Sequence, residues 1–409
     1  MRKVIQLIVF LNFMATGILA PVLALALLRH GANIQTISLV IGLYSFTVIL
    51  AEFPSGVFAD LYGRRTSFLL STIFYVLSYG AFIVSSSIGV LCFSIVTNGL
   101  GRAFASGSID ALAIDQASEH AKPLEWVTSR LAILESVGLA AGALSGGFLS
   151  GIGARYLGNL GVNAGIYTLL FLLAAFFVRE APRGKPEAGL VSGLRQFGAQ
   201  TRSSLAFLKR RGTVRILFVF ALATGFALNT IETYWQPALL AMKPVYWIFG
   251  AVSFAGFAFV ILGNWLAERL LTRFAARGAA LLLALKGLFG ACLILLLFQG
   301  KQASFLAVYL MIYFFIGGGS VTDSTLLNRL VPSSHRAGVL SLSSLVLQIG
   351  GLLAALCGYF VSSFSRFQNM WLLAGSILLV CGIVFSLLSK KDLRQPSPEE
   401  SSSPPATAL

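Results

Sequence analysis

Charge is what this chain has least of: 11% of its 409 residues are Asp, Glu, Lys or Arg, and only 15 are acidic. An ordinary soluble domain carries roughly 25%. So few charges cannot cover a surface that faces water on every side. Histidine (3) and cysteine (4) are also sparse. Cys92, Cys292, Cys357 and Cys381 all fall inside apolar runs with no metal-like spacing, so they read as small buried side chains. His30, His120 and His335 show no ligand spacing, and no Ser, His and Asp set suggests hydrolysis. The "GGG" at 317–319 is not followed by "GKS" or "GKT", so no nucleotide loop is present. The chain therefore reads as no enzyme, with no metal and no bound cofactor.

Apolar residues are abundant, at 57%. The net charge of +15 could suggest a nucleic-acid partner, but the basic residues sit in short clusters between apolar runs and form no extended polar face. A membrane span needs about twenty apolar residues, and twelve segments qualify. They are 5–28, 36–59, 66–85, 88–117, 124–150, 160–178, 213–236, 245–267, 278–298, 303–327, 337–361 and 368–388. The first follows Arg2 and Lys3 and resembles a signal peptide, yet it has no clear cleavage site and reads as a retained span. Alternating the loops between two sides places 23 of the 30 lysines and arginines on the side of the N-terminus and five on the other. That asymmetry is what the positive-inside rule expects, and it puts both termini in the cytoplasm.

The fold class is thus an all-α membrane protein of twelve transmembrane helices in two six-helix halves, 1–178 and 213–389. A polar linker, 179–212, joins the halves, and a disordered cytoplasmic tail, 390–409, follows. The Arg195 to Arg215 part of the polar stretch reads equally as a basic helix on anionic lipid or as a solvated tether. A weak repeat at an offset of 213 residues lays "SGSIDALAID" from Ser106 over "GSVTDSTLLN" from Gly319, and "ESVGLAAGALSG" from Glu135 over "QIGGLLAALCG" from Gln348. Matched halves imply a pathway at their interface, opened alternately to either side.

Six acidic residues lie within the spans: Glu52, Asp110, Asp115, Glu135, Glu232 and Asp323. A carboxylate in hydrocarbon costs at least about 2.5 kcal/mol, so each should face the bundle interior, a wet cavity or a partner. Arg102, Ser106 and Asp110 are four apart and form a polar stripe on one helical face. Glu135 is the nearest partner for Arg102 by depth. That pairing reads either as a buried lock between helices or as a proton-responsive carboxylate. Asp110 and Asp323, equivalent under the repeat, read as packing acceptors or as parts of the proton or substrate path. Asp115 and Glu52 lie near the cytoplasmic ends and suit a gate. In "NTIETYWQP", Asn229, Glu232 and Gln236 share a face that would suit an organic cation, while a lipid-interface belt explains Tyr234 and Trp235.

The span count and linker resemble the major facilitator superfamily across nearly the whole chain. "GVFADLYGRR" matches that family's loop between spans two and three at Gly56, Asp60, Gly63, Arg64 and Arg65, with Leu61 where an arginine is common. The resemblance implies a cytoplasmic latch in which Asp60 accepts bonds from neighbouring helix ends. Arg102 takes the place of the family's proton-coupling arginine. Gly138, Gly142, Gly146 and Gly147 are similar to its antiporter motif, with Ala143 in place of the usual proline. The loop after span eight, "GNWLAERLLTRFAARG", resembles a degraded second latch with Glu268 and Arg269 as acid and base. These features imply a proton-coupled antiporter of the drug-efflux branch, exporting a small amphiphilic or cationic compound. The alternative is a proton-linked symporter of a small organic or lipid-like solute. Protons are the implied coupling ion, and the expected setting is a monomer among lipids in a bacterial inner membrane. No nucleic-acid partner is expected.

Overall fold

The computed structural model describes residues 3–106, 108–118, 124–180, 212–274 and 277–392. Most of the linker, the tail beyond 392 and Gly107 lie outside those residues. The first half comprises α1 (Lys3–Leu19), α2 (Leu23–Arg29), α3 (Ile34–Tyr62), α4 (Arg64–Val84), α5 (Ile88–Ala105), α6 (Ile109–Ser118), α7 (Leu124–Leu149) and α8 (Leu157–Phe177). The second comprises α9 (Gly212–Ala241), α10 (Trp247–Arg273), α11 (Gly278–Leu296), α12 (Gln302–Leu330), α13 (Ser333–Phe364) and α14 (Asn369–Asp392). Among the described residues eleven helical stretches are long and apolar enough to cross on their own, α5 and α6 counting together as Ile88–Ile114, and the pair α1 and α2, bent by 51°, makes the twelfth span.

Two of the twelve spans are broken where the sequence reads as continuous. Span 1 turns at residues 20–22. Span 4 breaks at Ser106, whose ψ of 123° leaves the helical region after α5, and Ser108 Oγ caps the break by donating to the Ala105 carbonyl at 2.8 Å. The break separates Arg102 from Asp110, so the continuous stripe expected from their spacing does not form. Elsewhere local chemistry sets the ends as usual. The Asn33 side chain accepts from Thr36 N at 2.8 Å to start α3, and Ser87 does the same for α5.

Each half is a six-span bundle, and the two repeat one another in their pairings. The first packs α1 on α7, α3 on α5 and α4 on α8; the second packs α9 on α13, α10 on α12 and α11 on α14. These are the same span pairs under the 213-residue offset, so the repeat legible in the sequence is a repeat of packing. The halves meet where α3 lies on α13 and α7 on α10. Large apolar side chains such as Phe176, Phe298 and Phe364 point outward, as lipid contact requires.

Gly63 joins α3 to α4 with φ of 97°, and a Cβ there would stand 2.8 Å from Glu180 Oε2. Gly63→Ala is expected to cost about 1–2 kcal/mol through the left-handed backbone alone. A lowered thermal midpoint in detergent would register it, whereas Gly56→Ala, with open space around its Cα, should be close to silent.

Candidate transport pathway

A cavity of about 770 Å³ lies between the halves. Its first-half wall carries Tyr44, Tyr75, Tyr79, Asn98, Arg102, Asp110, Glu135 and Tyr167; its second-half wall carries Asn229, Glu232, Thr233, Gln236 and Gln348. Glu135 and Gln348 are repeat-related positions, so the same register of spans 5 and 11 lines the cavity from opposite sides.

Arg102, in the last turn of α5, is the one cation on this lining among the described residues. It lies within electrostatic reach of Tyr44, Tyr75, Tyr167 and Glu52. No ion pair joins it to Glu135; both face the shared space. Asp110 sits in the first turn of α6, and its buried Oδ1 has no hydrogen-bond partner among the described residues. Across the cavity, the Tyr313 hydroxyl donates to Glu232 Oε1, and Asn229 Oδ1 accepts from Thr233 Oγ1 at 3.4 Å. The tyrosines form a stack that sequence reading did not single out: Tyr75 and Tyr167 have ring centroids 4.1 Å apart at 21°. Only the four-residue spacing of Tyr75 and Tyr79 hinted at it.

Tyr234 and Trp235 are each 1% exposed and so do not form a lipid-interface belt. Trp235 packs on Tyr309 and Phe249 inside the second half. Tyr234 shares a 2.7 Å hydrogen bond with Ser38 across the halves. An aromatic pair near a span end fits either setting by composition, and only helix packing decides between them.

Asp323 does not line the cavity. Its Oδ2 lies 2.6 Å from the Nζ of Lys286, a side chain 4% exposed that also donates to Thr224 Oγ1 at 2.9 Å. The repeat therefore matches Asp110 and Asp323 in sequence but not in surroundings. The Asp323 side chain is 32% exposed, so removing it leaves the buried Lys286 ammonium unpaired at a cost nearer the low end of the roughly 3–5 kcal/mol for a fully buried pair, while replacing both partners with apolar groups is often neutral. Asp323→Asn is accordingly expected to lower thermal stability far more than the double variant Lys286→Met/Asp323→Leu. Equal losses would show that the pair is not what holds α11 to α12.

At the end bearing the termini, α4 begins against Glu180. The Glu180 carboxylate accepts from Arg64 N at 3.0 Å and Arg65 N at 2.9 Å, where a helix N-terminus attracts negative charge. The Arg65 guanidinium in turn donates to the Ala174 and Ala175 carbonyls at 3.1 and 2.6 Å, the C-terminal end of α8. Asp60 is exposed in the final turn of α3, beside the helix start that Glu180 caps. Glu180 was invisible in the sequence because it stands where the linker begins. Glu268 and Arg269 lie inside α10 and not in a loop, with the Arg269 guanidinium 4.0 Å from the Trp265 ring centroid. The side chain of Asp115 lies outside the described ones.

The four glycines of α7 are contact points. Gly138 faces Phe10 O and Met14 N of α1, Gly142 faces Met14 O and Gly17, and Gly146 faces Ile18. Gly147 turns toward the other half, where a Cβ would stand 2.8 Å from the Cα of Gly250 on α10.

Two repeated six-span bundles around a central cavity that carries charged and polar side chains define a multi-pass secondary transporter of small molecules. The sequence profile of the Major Facilitator Superfamily matches residues 5–327 and 245–408, and the chain belongs to that family. It is 23% identical over 386 residues to the uncharacterized MFS-type transporter YxaM of Bacillus subtilis (strain 168), covering 93% of this chain and 94% of that one. It is 24% identical over 237 residues to the class B tetracycline resistance protein of Escherichia coli, covering 57% and 56%. Among solved structures, the nucleoside transporter NupG (D323A mutant) superposes with a TM-score of 0.78 at 14% identity over 94% of this chain and 98% of that one. The D-xylose-proton symporter gives 0.71 at 13% identity over 93% and 96%.

Proposed function

We propose that this chain is a proton-linked symporter that takes up a small polar solute by alternating access. The observation that carries the reading is the cavity lining, in which three carboxylates, Asp110, Glu135 and Glu232, share one space with, among the described residues, a single guanidinium, Arg102. When all are ionised the acids outnumber the base, so the lining carries an excess negative charge that a proton or a cationic group neutralises. A proton bound there satisfies the excess charge and cargo completes the hydrogen bonding. Tyrosine, asparagine and glutamine side chains on the lining offer hydrogen bonds to a solute, while Phe13, Phe82 and Leu228 of the same lining pack against its apolar part. The D-xylose-proton symporter, with the same fold, couples its sugar to protons.

A second reading, antiport with export, is favoured by the α7 glycines, which seat that helix against both α1 and α10, and by the match to the tetracycline resistance protein. In either case the Gly56–Arg65 segment, the end of α3 and the start of α4, acts with Glu180 as a latch at the cytoplasmic end, both termini are cytoplasmic, and the protein works as a monomer in a bacterial inner membrane. Loading proteoliposomes with a pH dye and adding labelled solutes separates the readings. Symport moves protons and cargo the same way, and antiport moves them in opposite directions.

A further inference from the structure

The break in span 1 leaves backbone groups that helical bonding cannot satisfy, and their partners can be followed one by one. Val22 N donates to the Leu19 carbonyl at 3.0 Å. The Ile18 carbonyl accepts from Asn159 Nδ2 at 3.2 Å, within the same half. The Ala20 carbonyl and the Ala24 N–H are met from the other half. Gln236 Nε2 donates to Ala20 O at 2.8 Å, and Gln236 Oε1 accepts from Ala24 N at 3.0 Å. One planar amide thus takes an acceptor from the end of α1 and a donor from the start of α2, as a peptide unit would, and it is buried at 2% exposure.

Its position matters as much as its bonding. The cross-half contacts gather at the end opposite the termini: Ser38 with Tyr234, Gln35 Nε2 with the Ser362 carbonyl at 3.3 Å, and Gly147 with Gly250. Gln236 belongs to this group, and it also lines the cavity one helical turn from Glu232. Of these contacts it alone, as far as the described residues show, carries two backbone groups that would be orphaned by its loss.

We propose that Gln236 holds the side opposite the termini closed by standing in for a peptide group across the break in span 1. This rests on the alternating-access reading above. Without the amide, Ala20 O and Ala24 N are buried unpaired only while that side is shut; once it opens, water reaches both. Loss of the amide therefore shifts the population toward the state open on that side.

The test places a cysteine at Ser45, a buried cavity residue of α3, in a chain whose four native cysteines are replaced by alanine. A membrane-impermeant maleimide is applied to either face of oriented vesicles without cargo or a pH gradient. With Gln236 present, labelling is expected from the terminus-bearing side. Gln236→Leu is expected to raise labelling from the opposite side at least tenfold. Gln236→Asn, too short to span both groups, should raise it by about threefold or more and serves if the leucine variant does not fold. Tyr234→Phe, which removes one cross-half bond without orphaning backbone, should change it less than either. Unchanged labelling in both Gln236 variants, or equal opening by Tyr234→Phe, overturns the proposal. Equal labelling from both faces with Gln236 intact would instead contradict alternating access itself. Because no cargo is used, a failure to find transported solute leaves this outcome unaffected.

Discussion

Arg102→Ala is expected to lower proton-linked transport by about 100-fold while leaving the protein folded. Arg102 is the one cation among the described residues of the cavity lining, and Asp110 and Glu135 share that space. Charge interactions across about 6–8 Å at an effective dielectric near 20 are worth about 2–3 kcal/mol, and 1.4 kcal/mol corresponds to a factor of ten. Without the guanidinium the lining loses the charge that answers its carboxylates, so proton and cargo binding are no longer linked as the cavity changes sides. The loss should fall on turnover of coupled transport more than on the thermal midpoint, because among the described residues Arg102 makes no ion pair. Arg102→Lys keeps the charge and should recover part of the rate. Normal coupling in the alanine variant would remove Arg102 from the proton path.

Gly142→Leu is expected to prevent assembly of the first half. A side chain at this position points at the Met14 carbonyl and at the Cα of Gly17, which are backbone and cannot rotate away. The neighbouring contacts at Gly138 and Gly146 belong to the same seam, and Asn159 Nδ2 ties it by donating to Gly146 O at 2.8 Å and to Ile18 O. Forcing α1 from α7 therefore loses packing along several turns. Overpacking commonly costs about 1–3 kcal/mol for a few methylenes, and a backbone clash repeated along a seam belongs at or above the top of that range. Expression and monodispersity in detergent would report it. Leu144→Ala, on the outward face of the same helix, should change stability by no more than about 0.5 kcal/mol. Similar behaviour of the two variants would show that the seam is not where the half is held.

The twelve spans were legible because a helix in lipid needs length and apolar content, and both are properties of the sequence alone. The breaks at residues 20–22 and at Ser106 were not. A window of about twenty residues averages over a three-residue turn, and the groups that stabilise the break in span 1 come from Gln236, more than 200 positions away. Intramembrane charge marked Arg102, Asp110, Glu135 and Glu232 as cavity residues because burial leaves a carboxylate few other settings. The same reasoning could not say that Asp323 turns from the cavity to Lys286, since that depends on which helices are neighbours. Glycine spacing exposed the α7 seam, whereas Glu180 sits in a polar stretch whose composition suggests only a connector.

The most direct test of the central claim is proton movement in proteoliposomes carrying an internal pH dye, on addition of a panel of polar solutes with Arg102→Ala as the control. The expected result is that one class of polar solute enters together with protons, and that the movement is lost in the variant. Protons and solute moving in opposite directions would contradict uptake by symport, and solute movement that ignores both the pH gradient and Arg102 would contradict proton coupling.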